Sequence, residues 1–351
     1  MKTGKSLVEL AAELERQKEL ARDYIAPSGV ISMTGNGSNE LLIPVGGEVR
    51  SFGATEIAHD QIAEFTGIPT KYYRRMREEM PSLLADNVNS WLLKNGGHRM
   101  VRTMDNSVRA FLSDRYRPLD NADLAEVALP ALLESGCRIE SCEVTDKRLY
   151  LKAVTDRLQF EVKKGDVVQA GIVISNSEVG MGALTVEPLL YRLVCTNGMI
   201  VNDAKMRRTH VGRGSGQFEG VSEFFRDATR EADDRAFWMK VRDVIGAAFS
   251  TMGFEKFVHK FAASAADKIE GDPMKVVEVA QKQWSLSDGE RNSVLKHLLI
   301  DGDLSRFGLA NAVTRTAQDV ESYDRATELE RLGGMVVELP KRDWSVIAAA
   351  A

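Results

Sequence analysis

Apolar and polar positions follow two different periods along this chain, and the change of period divides it. Leu7, Leu10, Ala11 and Leu14 recur at i, i+3, i+4 and i+7, so the opening segment predicts a helix with one apolar stripe. Pro and Gly then interrupt it in PSGVISMTGNGSNELLIPVGG. The stretch EVRSFGATEIAHDQIAEFTGIPTKYYRRMREEMPSLLADNVNSWLLKNGG predicts a short strand followed by helices, with Pro69 opening one helix and Gly96-Gly97 ending the last.

From His98 the period becomes two. Two short runs joined at Asp105-Asn106-Ser107 predict a hairpin within His98 to Asn121, and ADLAEVALPALLESG predicts a helix. Alternation resumes around a Thr-Asp-Lys-Arg turn at Thr145 and around KKGD at Lys163, the pattern of antiparallel sheet. TVEPLLYRLVCT is a further strand, with Asn197-Gly198 expected as a two-residue turn into a returning strand. Beyond the Gly-rich GRGSGQFEG the period changes to 3.6. Phe237, Val241, Val244, Ile245 and Ala248 mark one helix face, and Phe254, Phe257, Val258 and Phe261 the next. Asp272-Pro273 is an N-cap with a first-turn proline, Ser287 with Glu290 makes a capping box, and Gly333-Gly334 is expected to close the array.

The expected fold is therefore α+β: a central antiparallel sheet with packed helices, followed by a C-terminal helical region. The expected organisation is an N-terminal helix (1–25), an α+β core (26–215), a helical region (220–335) and a loose tail (336–351).

Composition changes this picture little. Of 351 residues, 44% are hydrophobic and 28% charged, with nine prolines, as in an ordinary globular protein. No apolar run reaches bilayer length and no signal-peptide core opens the chain, so a cytoplasmic protein without membrane partners is expected. Cys137, Cys142 and Cys195 are too few for a disulfide framework or a zinc site, and no cofactor is expected. The net charge of -5 excludes a uniformly basic coat but leaves room for a basic face.

The densest candidate chemistry is ISNSEVGMGALTVEPLLYRLVCTNGM. Its Gly180-Met181-Gly182 lacks the third glycine and the following helix of a dinucleotide fingerprint, and no Walker lysine is present, which excludes a phosphate cradle. Asn176, Glu178 and Arg192 are where a hydrolase or transferase site would sit. An ion pair of Arg192 with Glu187 or Glu178 is the structural alternative. Ser177, Asp203 and His210 match no catalytic signature.

Two basic clusters point elsewhere. Between Lys94 and Arg117, six basic residues (Lys94, Arg99, Arg102, Arg109, Arg115, Arg117) against Asp105 and Asp114 leave a charge of +4, beside Phe111 and Tyr116. Arginines suit phosphates and aromatics suit bases, the mixture a single-strand platform needs, although a solvated hairpin with paired arginines would look the same. Lys205, Arg207, Arg208 and Arg213 lie in a Gly-rich stretch that could clamp a nucleic-acid backbone or merely link. IAEFTGIPTKYYRRM places Ala63, Gly67 and Tyr73 as a helix-turn-helix does, with Lys71, Arg74 and Arg75 on the second helix, and equally as a plain helical corner does.

RAFLSDRYRPLDN, GIVISNSEVGMGALTVEPLLYRLVCTNGM and NAVTRTAQDVESYDRATELERLGG, in this order and spacing, closely resemble the family of domains of unknown function numbered 932, over about residues 50 to 335. The resemblance implies a phage- or plasmid-borne origin and no established activity. In outline the expected sheet and helices are also similar to the RecT/Redβ class of single-strand annealing proteins. The expected function is nucleic-acid binding, single-stranded DNA in recombination foremost, by a homo-oligomer. The alternatives are an enzyme around Asn176, Glu178 and Arg192, or a mobile-element structural or host-interaction protein.

Overall fold

The computed structural model describes residues 1–116, 118–201, 227–247 and 251–350. The fold is α+β, in two compact units: a smaller one of Ala11–Ala122 and Ser177–Gly182, and a larger one of Met1–Leu10, Asp123–Asn176 and Ala183–Ala351.

The smaller unit takes most of the opening helix α1 (Leu7–Leu20), from Ala11 onward, which leads to strands β1 (Arg22–Pro27), β2 (Ser32–Met33), β3 (Leu41–Val45) and β4 (Glu48–Ala54). Helices α2 (Glu56–Thr66), α3 (Thr70–Glu79) and α4 (Pro81–Asn95) follow, then the hairpin β5 (His98–Met104) and β6 (Ser107–Ser113). The sheet order is β1-β5-β6-β4-β3-β2, antiparallel except for the parallel pairing of β4 with β6. Although β5 and β6 lie between β1 and β4 in that order, Tyr24 on β1 comes within 6.0 Å of Phe52 on β4, ring centre to ring centre. The sheet is curled, as strand twist favours.

Local chemistry explains the boundaries. The Thr55 side chain accepts the Ala58 N–H to start α2, Gly67 ends it in the left-handed region at φ 69°, and Pro69 stands immediately before α3. Asp105 and Asn106 both take positive φ (51° and 58°), the twist that a two-residue hairpin turn requires. The inner face of the sheet, with Ile43, Phe52, Val101, Val108 and Phe111, buries against Ile62, Tyr73, Leu84 and Val88 of the helices.

The larger unit takes most of α5 (Asn121–Glu134) and a five-stranded antiparallel meander: β7 (Cys137–Val144), β8 (Leu149–Lys163), β9 (Asp166–Asn176), β10 (Thr185–Arg192) and β11 (Asn197–Ile200). The helical region contains α6 (Asp227–Ala247), α7 (Thr251–Ala263), α8 (Pro273–Trp284), α9 (Asp288–Asp301), α10 (Arg306–Thr316), α11 (Tyr323–Glu338) and α12 (Lys341–Ala348). Helices α10 and α11 pack on one another and on β11, and α7 packs on β8. Phe254, Phe257, Val258 and Phe261 all point into this core, and the Ser287–Glu290 capping box is formed in full.

Three local expectations are corrected. Asn197-Gly198 is not the turn: the turn is Leu193–Thr196, with Thr196 at φ 50°, and Asn197 and Gly198 pair with Arg192 and Tyr191 inside the ladder. The buried Asn197 amide donates to Thr314, and a Cβ on Gly198 would meet the Met1 side chain at 2.6 Å, so tertiary packing claims both residues. Gly333-Gly334 does not end a helix but lies buried within α11, where a Cβ on Gly333 would sit 2.1 Å from Thr314 Cγ2. The expected tail contains α12, anchored by the buried Trp344 and Ile347. The Gly-rich break at GRGSGQFEG lies outside the described residues.

Candidate nucleic-acid interface

Strand geometry separates the arginines that the charge count groups together. Residues three apart on a strand point to opposite faces, so Arg99 and Arg102 diverge. Arg99 lies on the inner face, its guanidinium 4.2 Å from the Phe65 ring centre and 5.6 Å from that of Phe111, with Nε donating to the Leu112 carbonyl at 3.1 Å. Arg102 is 2% exposed; it donates to Asp23 at 2.8 Å, to Asp120 at 2.7 Å and to the Glu178 carbonyl at 2.9 Å. Burial opposes its charge, but the two carboxylates outweigh burial and hold the guanidinium more firmly protonated than usual. Arg109 is buried with its Nη1 2.5 Å from a Glu178 carboxylate oxygen, and Phe111 is buried in the core. Arg102, Arg109 and Phe111 are thus structural rather than a phosphate-and-base platform, because acids distant in sequence close over the two guanidiniums.

Arg115 is exposed, and the half-buried Tyr116 donates its hydroxyl to the Ser177 carbonyl at 3.1 Å. Arg117, Lys205, Arg207, Arg208 and Arg213, with Asp203 and His210, lie outside the described residues. On the helical corner Tyr73 is buried, Arg74 pairs with Asp60 at 2.9 Å and Arg75 with Glu79 at 2.9 Å.

The Ser177–Gly182 segment closes the smaller unit. The Glu178 carboxylate accepts from Arg109 and from the Asn121 N–H that begins α5, a negative charge where a helix N-terminus favours one. Gln61 donates to the Val179 carbonyl at 2.7 Å and accepts the Phe111 N–H at 2.7 Å. Arg192 pairs with neither Glu187 nor Glu178 but with Asp166 at 2.7 Å, while Glu187 takes Arg331 at 2.6 Å. Asn176, buried, pairs in the ladder with Leu149. Each of the three candidate catalytic residues is engaged in a different structural role. Among the described residues no group of three or more His, Cys, Asp or Glu is placed to hold a metal ion.

A different set of side chains converges on a groove in the smaller unit. An open cavity of about 440 Å³ is lined by Leu20, Arg22, Tyr24, Arg50, Ser51, Phe52 and Thr103–Asn106. Curling of the sheet brings β1, β4 and the β5–β6 turn to this one place. Tyr24 and Phe52 form an aromatic corner with planes inclined by 44°. Arg22 donates from Nη1 to the carbonyls of Glu19, in the last turn of α1, and Ala21, just after it, at 2.7 and 2.6 Å, and meets no carboxylate among the described residues. Arg50 pairs through its backbone in the β3–β4 ladder, but its exposed side chain has no ion-pair or hydrogen-bond partner among the described residues; the Asn106 side-chain amide is likewise unengaged. Asp105, the one acid of the lining, is held by Arg16 at 2.7 Å. Nothing in the sequence marks Arg22, Tyr24 and Arg50 as neighbours, since they are spread over two strands that are not adjacent in the sheet.

These features define an α+β protein with an arginine- and aromatic-lined groove on a curled mixed sheet. The chain belongs to the family described as Domain of unknown function (DUF932), whose model matches residues 109–334. The match ends where the resemblance ends, and the expected stretch from residue 50 to 108 lies outside it. No curated protein and no solved structure matches the chain. Among the described residues no helix is long and apolar enough to cross a membrane.

Proposed function

We propose that this protein binds single-stranded nucleic acid, with the groove of the smaller unit as its seat. The observation that carries this reading is the convergence of Arg22 and Arg50 with the Tyr24–Phe52 corner in one open cavity. Guanidiniums without carboxylate partners attract phosphate, and the half-buried Tyr24 ring, backed by the buried Phe52, can accept an unstacked base. A duplex keeps its bases stacked inside and cannot use the corner. The resemblance to phage- and plasmid-borne proteins adds a setting, strand handling in recombination.

Titration of a labelled oligothymidylate against a duplex of the same length, followed by anisotropy, tests the reading. The single strand binds more tightly, Tyr24→Ala weakens it by roughly 1–3 kcal/mol, and Arg50→Ala reduces the slope of log affinity against log salt by about 0.7. No binding at low salt, or two variants indistinguishable from the parent, overturns it.

A further inference from the structure

Resting on that reading, we infer that the groove's preferred occupant is a nucleotide bearing a phosphate monoester, not an internal nucleotide of a strand. Size and charge both point this way. The volume of about 440 Å³ lies at the small end of the roughly 300–1,000 Å³ that holds one small molecule. That volume is the size of one nucleotide. Arg22 and Arg50 bring two positive charges to the lining, and its one acid, Asp105, is already engaged by Arg16. An internal phosphodiester carries a single negative charge, whereas a phosphate monoester carries about -1.5 to -2 at neutral pH. Two guanidinium charges therefore match the monoester, Arg22 contributing its charge while its Nη1 stays on backbone carbonyls, with bidentate geometry open to the unpartnered Arg50. Tyr24, half-buried on β1, offers its ring to the base, and the Asn106 amide on the β5–β6 turn can meet a base edge. The phosphorylated end of a strand and a free nucleoside monophosphate share this chemistry.

Short oligothymidylates carrying a 5′-phosphate, a 3′-phosphate or neither are compared for affinity, and thymidine monophosphate and thymidine are used as competitors. A phosphorylated end binds at least about tenfold more tightly, the worth of one charge-assisted hydrogen bond. The preference shrinks below about pH 6, where the monoester takes up a proton, and disappears in Arg50→Gln at an unchanged melting temperature. Arg50→Lys restores part of it. Competition by thymidine monophosphate but not thymidine identifies the nucleotide itself as sufficient. The same preference without competition identifies the strand end, and both outcomes support the inference. Equal affinity for all three strands, each weakened alike by Arg50→Gln, overturns the inference while leaving single-strand binding standing. Failure of every strand to bind the parent protein overturns both.

Discussion

His59 is buried in the smaller unit, its Nδ1 sharing a hydrogen bond with the Tyr73 hydroxyl at 2.9 Å. Burial, with the Arg77 charge nearby, lowers its imidazole from 6.5 to about 4. The unfolded chain therefore takes up a proton that the folded one refuses between pH 6.5 and pH 4. Stability is unaffected above that window and falls as pH falls through it, by roughly 3 kcal/mol at its lower end. Denaturant unfolding at a series of pH values measures this, and His59→Gln flattens the profile; a variant profile parallel to the parent's across the window contradicts it. In the larger unit Lys152 and Glu330 pair at 2.6 Å with both side chains fully buried, and the Lys152 ammonium lies 4.5 Å from the Tyr323 ring centre. Burial lowers the lysine's pKa against the pull of Glu330. Lys152→Ala strands a buried carboxylate and costs about 3–5 kcal/mol, whereas Lys152→Met combined with Glu330→Leu is nearly neutral. Additive losses in a double-mutant cycle contradict this account.

Helix starts were legible in the sequence because a cap is a local event. Ser287 with Glu290, Asp272 before Pro273 and the Pro69 corner each act within a turn of where they stand. The two misread glycine pairs show the opposite case. Asn197-Gly198 has turn chemistry but is held in a strand by Thr314 and Met1, and Gly333 has the look of a helix stop but admits α10 against α11. Gly333→Ala consequently does not realise the gain of about 1 kcal/mol that alanine offers over glycine in an open helix. Its methyl group would lie 2.1 Å from Thr314 Cγ2 and 3.1 Å from the Ala310 carbonyl oxygen, and the variant loses roughly 1–3 kcal/mol. Thr314→Ser keeps the hydroxyl that Asn197 uses and removes that methyl. Thermal unfolding of the three variants checks this: a double variant no more stable than Gly333→Ala alone would show that the methyl is not the obstacle.

For the molecule as a whole, the mixed fold, the period-two sheet and the helical C-terminal region could be read from periodicity, which records what each element buries. The candidate site could not. A charge count sums residues along the chain, but the face each residue occupies is set by strand parity, and its partner by contacts between distant segments. Arg102 and Arg109 are neutralised by Asp23, Asp120 and Glu178 from three other parts of the sequence, while Arg22 and Arg50 come to line one cavity only because β1 curls toward β4.

That Glu178 closes the smaller unit has a consequence for synthesis. When the ribosome has finished Asn121, every strand of that unit exists, yet the carboxylate for Arg109 and for the first N–H of α5 is still nearly 60 codons away. At about 5–20 residues per second, the hairpin waits roughly 3–12 s with two guanidiniums lacking their final acceptor. Those codons encode most of α5 and all of β7, β8 and β9 of the larger unit. The smaller unit, although all its strands are made first, therefore cannot mature before three strands of the larger have been made, and the nascent chain carries an unfinished domain through that interval.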